Sequence, residues 1–274
     1  MRTIDIGIDK IDKIYHIADV HVRNVKRHKE YRLVFKRLYS YIKKTKTDNS
    51  VIYVAGDIVH AKTDMSPELV AIVSDFFKQL ADLAPTLIIT GNHDCNLNNS
   101  YRMDALSPIV KALNHQRLHY LKDNGIYLIS GIHFNVLSVY NKPTEYLKAD
   151  DFEGDYKIAL HHGSVHNAST DAGFTLSNTH VTTEMFKGHD LSLLGDIHKP
   201  QFLDEEKTMA YAGSLIQQNH GEGLTHGIMV WDLETKKSEF VEIVNDYGYY
   251  TFHIDNGKIT NPNSKVPLRP RLRF

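Results

Sequence analysis

Five short clusters in the sequence combine side chains able to hold metal ions. They are Asp19-Val20-His21, Gly56-Asp57 with His60 just beyond, Gly91-Asn92-His93-Asp94, His161-His162-Gly163 and Gly195-Asp196-Ile197-His198. Residues i and i+2 of an extended chain point the same way, so Asp19 with His21, and Asp196 with His198, can reach one site. Carboxylates, imidazoles and a neutral amide can hold two divalent cations ~3.5–4 Å apart, which would activate a hydroxide and polarise a phosphoryl group. A single Asp-x-His pair arises often by chance, and Gly-Asn-His-Asp also reads as a capped turn. All five clusters, however, fall at the ends of segments that read as strands. That placement favours the metal.

The elements that must position them alternate strand and helix. Lys13–Asp19 reads as a buried strand, after which Tyr31, Val34, Phe35, Leu38 and Ile42 recur at helical spacing. Val51–Asp57 is a second apolar strand. Ser66-Pro67-Glu68 then gives an N-cap, a first-turn proline and an early acid, ahead of a helix packing through Leu69, Val73, Phe76, Leu80 and Leu83. Pro85 closes it, and Thr86–Thr90 is a third strand. Such a pattern predicts a parallel sheet with right-handed crossovers, with ligands beyond the carboxyl ends of its strands. The second half predicts strands near 126–130, 133–140, 156–161, 191–196, 208–212, 227–233, 238–244 and 249–255. A second sheet packed on the first, with helices outside, is the economical reading. The polar stretch 163–190 reads as a functional loop.

Composition narrows the classes. One cysteine among 274 residues excludes a disulfide scaffold and a cysteine-rich zinc module. Hydrophobic residues at 42% and charged ones at 24% fit an ordinary globular protein. A net charge of -1 argues against gripping nucleic acid by bulk charge. No apolar run reaches a membrane span, and the first residues do not open a signal peptide, so no membrane association and a cytoplasmic location (host cytoplasm if viral) are expected. Residues 1–256 read as one domain. Residues 257–274 read as a linker through Asn261–Pro270 and the start of a truncated domain.

The ordered motifs resemble those of the calcineurin-like metallophosphoesterase superfamily, over about residues 13–230. Within it, the chain looks most like the SbcD-type nuclease subunits of the double-strand-break repair complex, particularly their phage versions. The residues behind that choice are Gly195-Asp196-Ile197-His198-Lys199-Pro200-Gln201, Gly213-Ser214-Leu215-Ile216-Gln217-Gln218, His226-Gly227 and Pro270-Arg271-Leu272-Arg273. The resemblance implies an α/β four-layer sandwich of two mainly mixed sheets flanked by helices. It further implies that Asp19, His21, Asp57 and His198 hold a first metal, and that Asp57 bridges to a second completed by Asn92 and His161, with His162 as rival. His93 would stabilise the transition state or protonate the leaving oxygen, oriented by Asp94, and His60 would assist. Asp196 replaces an imidazole usual in the family; it either binds the second metal, favouring Mn2+ or Mg2+ over zinc, or hydrogen-bonds a ligating histidine.

The implied activity is DNA hydrolysis, exonucleolytic on duplex ends and endonucleolytic on single strands, by direct attack of water without a covalent intermediate. The implied partners are an SbcC-type ATPase and a second copy of the chain, docking through residues 60–115. Between Arg23 and Lys46 there are ten Lys or Arg against one acid, Glu30. Either this is a solvated helix face, or Arg23, Lys26, Arg27 and Lys29 contact phosphates beside the metals; Tyr101 and Arg102 are further candidates for DNA contact. His16 reads as a core histidine, Cys95 as an inert packing residue, and His166, His180 and His189 as non-ligands. A phosphatase or cyclic-nucleotide phosphodiesterase, or a non-catalytic binding subunit, are the competing readings.

Overall fold

The computed structural model describes residues 1–261 and 265–274. In chain order it begins with β1 (Arg2–Thr3), β2 (Lys13–Ile17), α1 (His28–Thr45), β3 (Ser50–Val54), α2 (Pro67–Leu83), β4 (Thr86–Ile88), α3 (Leu106–Leu113) and β5 (Leu118–Tyr120). Then come β6 (Gly125–Ile129), β7 (Ile132–Leu137), β8 (Lys157–His162), β9 (Leu191–Gly195), β10 (Gln201–Phe202), β11 (Met209–Tyr211), β12 (Gly227–Asp232) and β13 (Lys237–Glu242). The chain closes with β14 (Tyr247–Thr251), β15 (Ile254–Asp255), β16 (Lys258–Ile259) and β17 (Arg269–Arg273).

Two mixed sheets dominate. The first has the order β13-β12-β2-β3-β4-β5, with β2 to β5 parallel as the alternating pattern predicts. The second has the order β1-β6-β7-β8-β9-β11-β10. Helices α1 and α2 bury Tyr31, Val34, Phe35, Leu38, Phe76 and Leu80 on the outer face of the first sheet, with Phe35 and Phe76 rings 4.3 Å apart. Ser66 caps α2 as expected, its hydroxyl accepting from the Leu69 amide (3.3 Å) with Pro67 opening the helix. A separate apolar layer between the sheets includes Ile14, Tyr53, Leu87, Phe134, Leu160 and Trp231. His16 lies fully buried in this layer, where it accepts from Trp231 Nε1 (3.4 Å), and burial lowers its pKa to about 3.

The sandwich of two mixed sheets is as expected, and the helical cover of the second sheet is short. Among the described residues the outer face of the second sheet is covered by short 3-10 turns at Pro143–Glu145, Ala149–Asp151 and Thr183–Phe186 and by the 163–190 segment. Part of that segment is anchored: Val165, Ala168, Val181 and Phe186 pack on Leu137, Ala159 and Leu194, while residues 171–175 are exposed. Its apolar residues are too widely spaced to show a period. The strand expected at 249–255 is broken into β14 and β15, and the closing strand β17 turns back to pair in parallel with β14. Of the expected linker, Lys258–Ile259 forms a small hairpin with Ile254–Asp255, while Pro262-Asn263-Ser264 lie outside the described residues.

Candidate metal centre

The carboxyl ends of β2, β3, β8 and β9 meet at one point between the two sheets. The backbone there is bent in ways that side-chain-bearing residues rarely accept. Asp19 (φ 49°), His21 (φ 48°), Asp57 (φ 52°) and Asp196 (φ 98°) are all left-handed, each costing on the order of 1–3 kcal/mol. Four such residues on one cluster mark a place where geometry has been set by something other than local preference. Glycine makes the close approach possible: a Cβ at Gly91 would collide with Asp57 Oδ1, and one at Gly56 would lie 2.5 Å from the Gly91 amide nitrogen.

Asp57 is the shared element. Its Oδ2 lies 3.5 Å from His21 Nε2, and its Oδ1 lies 3.3 Å from His162 Nε2 while accepting from the His93 amide (2.8 Å). On one side, Asp19, His21 and His198 offer atoms within 4.8 Å of one another, with the His21 and His198 Nε2 atoms 3.1 Å apart. On the other, Asp19, Asp57 and His162 do the same, and His162 Nε2 also faces Asn92 Oδ1 (3.1 Å) and Asp196 Oδ1 (3.9 Å). The second oxygen of Asp196 accepts from Ser164 (2.7 Å). Asp196 therefore stands at the rim of the second group, in reach of a cation beside His162.

The adjacent histidines separate cleanly. His162 donates from Nδ1 to the Ala55 carbonyl (2.6 Å), which turns Nε2 toward Asp57 and Asn92. His161 donates to the Leu137 carbonyl (3.0 Å), and its ring lies against Tyr146 and Phe186 on the other face of the strand. The preference for His161 is thus corrected: the structure brings His162, not His161, to the cluster. Successive strand residues face opposite ways, and both faces of β8 are buried, so no polar-apolar alternation distinguished them in the sequence.

Asp94 also departs from expectation. Its carboxylate accepts from the amides of Ile58, Val59 and Gly91 (2.9, 3.0 and 2.9 Å) and is fully buried. It ties the loops after β3 and β4 together rather than orienting His93. The His93 ring is held by the His60 carbonyl, which accepts from Nδ1 (2.7 Å) and leaves Nε2 facing the site. The His93 and His60 rings stack (5.7 Å between centroids) and both adjoin His21. His60 Nε2 accepts in turn from Arg23 Nη1 (3.0 Å).

Sequence reasoning missed Glu222. Its Oε1 accepts from His198 Nδ1 (2.9 Å) and from Asn219, and its Oε2 accepts from the Gln218 amide (2.6 Å). A carboxylate behind a ligating imidazole fixes its tautomer and raises its basicity. No spacing signal reveals it, because Glu222 arrives on the irregular stretch between β11 and β12. Of the expected DNA contacts, Lys26, Lys29, Tyr101 and Arg102 are exposed, and Arg23 is half-buried against His60. Arg27 is turned inward, making a two-point pair with Glu30 (2.9 and 2.9 Å) and donating to the Gln217 carbonyl (2.6 Å).

Electrostatics show what the cluster lacks. Burial pushes Asp19 up to about 7. His198 rises to about 9 against burial, through its bond to Glu222 and the charge of Asp19. His162 is raised well above the ordinary imidazole range despite burial, by Asp57, Asp19 and Asp196. The converging carboxylates Asp19, Asp57 and Asp196 pair with no Lys or Arg among the described residues. Buried charge of that kind is stabilised by a counter-charge or a metal. Three carboxylates, an amide oxygen and three imidazoles are a donor set suited to two divalent cations.

A two-sheet α/β sandwich with one carboxylate shared between two groups of potential metal ligands fits a metallophosphoesterase. The profile of the family described as calcineurin-like phosphoesterase matches residues 12–200, and the chain belongs to that family. It is also 46% identical over 287 aligned residues to "Uncharacterized protein R555" of Acanthamoeba polyphaga mimivirus. That alignment covers 100% of this chain and 21% of the relative, so the chain spans about a fifth of the relative's length. No helix among the described residues is long and apolar enough to cross a membrane.

Proposed function

We propose that this chain is a DNA nuclease that hydrolyses phosphodiester bonds with two divalent ions, Mn2+ or Mg2+, in recombination, repair or replication. The observation that carries the reading is Asp57, whose two oxygens face two separate ligand groups. Asp19, His21, Asp57 and His198 would hold one ion; Asp57, Asn92, His162 and Asp196 would hold the other. When bound, the pair supplies Lewis acidity and an activated water. The chain's own residues do the rest. His93, its Nδ1 committed to the His60 carbonyl, presents Nε2 to hold the proton that the leaving oxygen takes. Arg23, on the far side of His60, adds positive charge where the substrate's backbone enters, and exposed Lys26 and Lys29 continue that charge along the start of α1.

DNA is favoured over a small phosphomonoester because Arg23, Lys26 and Lys29 follow His21 within eight residues, and Lys26 and Lys29 are exposed. The motif resemblance extends the proposal to an SbcC-type ATPase partner, a homodimer and a cytoplasmic setting. The test is cleavage of linear duplex and single-stranded DNA with and without Mn2+. His93→Ala is expected to lower kcat by roughly 10²–10⁴ while metal affinity stays intact. Unchanged cleavage removes His93 from the mechanism. Hydrolysis of phosphomonoesters far faster than DNA replaces the nuclease with a phosphatase.

A further inference from the structure

The closing strand carries arginine at every second position, Arg269, Arg271 and Arg273, which places all three on one face. Pairing in register with β14 sets them beside Tyr247, Tyr249 and Thr251. Arg269 lies over the Tyr247 ring (5.1 Å) and donates to its hydroxyl (2.6 Å); Arg271 lies over Tyr249 (5.0 Å). The same Tyr249 ring carries Arg27 from the loop before α1 (5.4 Å) and His220 from the loop of Glu222 (4.9 Å between ring centroids).

Glu30 joins the two basic segments. It is 1% exposed, yet it accepts from Arg27, from Arg271 (2.6 Å) and from Asn245 (2.8 Å). The lone acid of the basic stretch is therefore an internal clamp, with the start of α1 on one side and β17 on the other. Both arginines keep a buried Nη1 without a partner among the described residues. Arg269 and Arg273 are exposed and pair with no carboxylate among the described residues. Exposed Arg269 and Arg273, beside aromatic rings and without a carboxylate partner among the described residues, match an anionic polymer.

Resting on the nuclease reading, we infer that the β14–β17 ribbon and the start of α1 form one binding track for single-stranded nucleic acid, leading past His220 to the metal centre. Arg269 and Arg273 contact backbone phosphates about two nucleotides apart, with Arg27 and Arg271 held near them by Glu30. The ribbon is roughly 13 Å long at ~3.3 Å per residue, room for about two nucleotides. Guanidinium and aromatic groups side by side suit unpaired bases, whose faces are free to stack.

The test uses the 274-residue chain and a labelled 20-nucleotide oligo-dT, with binding read by anisotropy in EDTA so that nothing is cleaved. The Arg269→Ala/Arg273→Ala double variant should lose affinity roughly tenfold at low salt. The slope of log affinity against log salt should become shallower by about 1.4, since each single-strand phosphate contact contributes about 0.7. Mn2+-dependent hydrolysis of bis(4-nitrophenyl) phosphate should be unchanged. If wild type binds and cleaves DNA while the double variant matches it in affinity and slope, this inference is overturned and the nuclease reading stands. A parallel loss of small-diester hydrolysis, or an equal loss for a duplex of the same length, also overturns it. If wild type hydrolyses the small diester yet neither binds nor cleaves DNA, the nuclease reading itself falls.

Discussion

Glu222 offers the sharpest test of how the site is tuned, because it touches the proposed ligand His198 without being one. Its two oxygens serve different donors: Oε1 takes the His198 Nδ1 proton (2.9 Å) and Oε2 takes the Gln218 amide (2.6 Å). Glu222→Gln keeps the shape but supplies one oxygen and one NH2 group. Whichever way the amide turns, either His198 or Gln218 faces a donor instead of an acceptor. If Gln218 loses, the loop shifts; if His198 loses, its ring is free to rotate away from His21. In both cases the negative charge that raises His198 to about 9 is gone, and the imidazole becomes a poorer donor to a cation. Loss of such an outer partner costs roughly 10–100-fold in metal affinity, or about 1.4–2.8 kcal/mol. Calorimetric titration of Mn2+ should show one of two sites weakened by that factor, with the other little changed. Equal affinity at both sites in the variant and wild type would refute the argument that Glu222 acts through His198.

Three further outcomes follow from the geometry. His162→Ala should abolish binding of the second ion, whereas His161→Ala should leave metal stoichiometry intact and lower Tm through lost packing against Tyr146 and Phe186; titration and melting curves separate the two. His16 is neutral when folded, with its pKa lowered to about 3 by burial, while the unfolded imidazole titrates near 6.5. The unfolded state therefore takes the proton first, so stability falls as pH drops from about 6.5 toward 3 and is unaffected above that. The loss is on the order of 4 kcal/mol at the bottom of the window, and His16→Gln, which keeps an acceptor for Trp231, should remove this part of the slope in denaturant titrations. Glu30→Ala should destabilise by roughly 3–5 kcal/mol, because it strands Arg27 and Arg271 without their shared carboxylate; a loss below 1 kcal/mol in urea unfolding would remove Glu30 as a clamp.

Much of the candidate site was legible because its side chains sit at strand ends, where the chain must turn and where parallel sheets collect function. Asp19, His21, Asp57, Asn92, Asp196 and His198 all arrive together for that reason. Long strands and the two long helices were equally plain, since their apolar periods run for several turns or residues. What escaped was decided by tertiary context. His161 and His162 differ only in which buried face they occupy, and a strand buried on both sides carries no alternation to read. Asp94 looks like a neighbour of His93 in sequence, but three backbone amides claim its carboxylate in space. Arg27 and Glu30 read as part of a charged surface until β17 returns to pair with β14 and buries them. The covering of the second sheet by 3-10 turns was hidden too, because turns so short leave no hydrophobic period.

Asp57 faces both groups of proposed ligands, His21 through Oδ2 and His162 through Oδ1. Asp57→Asn keeps the Oδ1 acceptor for the His93 amide but removes the charge and one of the oxygens facing the two ligand groups. Counting tightly bound Mn2+ per chain, with DNA cleavage followed in the same samples, tests the proposed sharing directly. Wild type should hold two ions and cut DNA, and the variant should hold at most one and lose cleavage by several orders of magnitude. An Asp57→Asn protein that still binds two ions with wild-type affinity and still cuts DNA would contradict the shared-carboxylate centre.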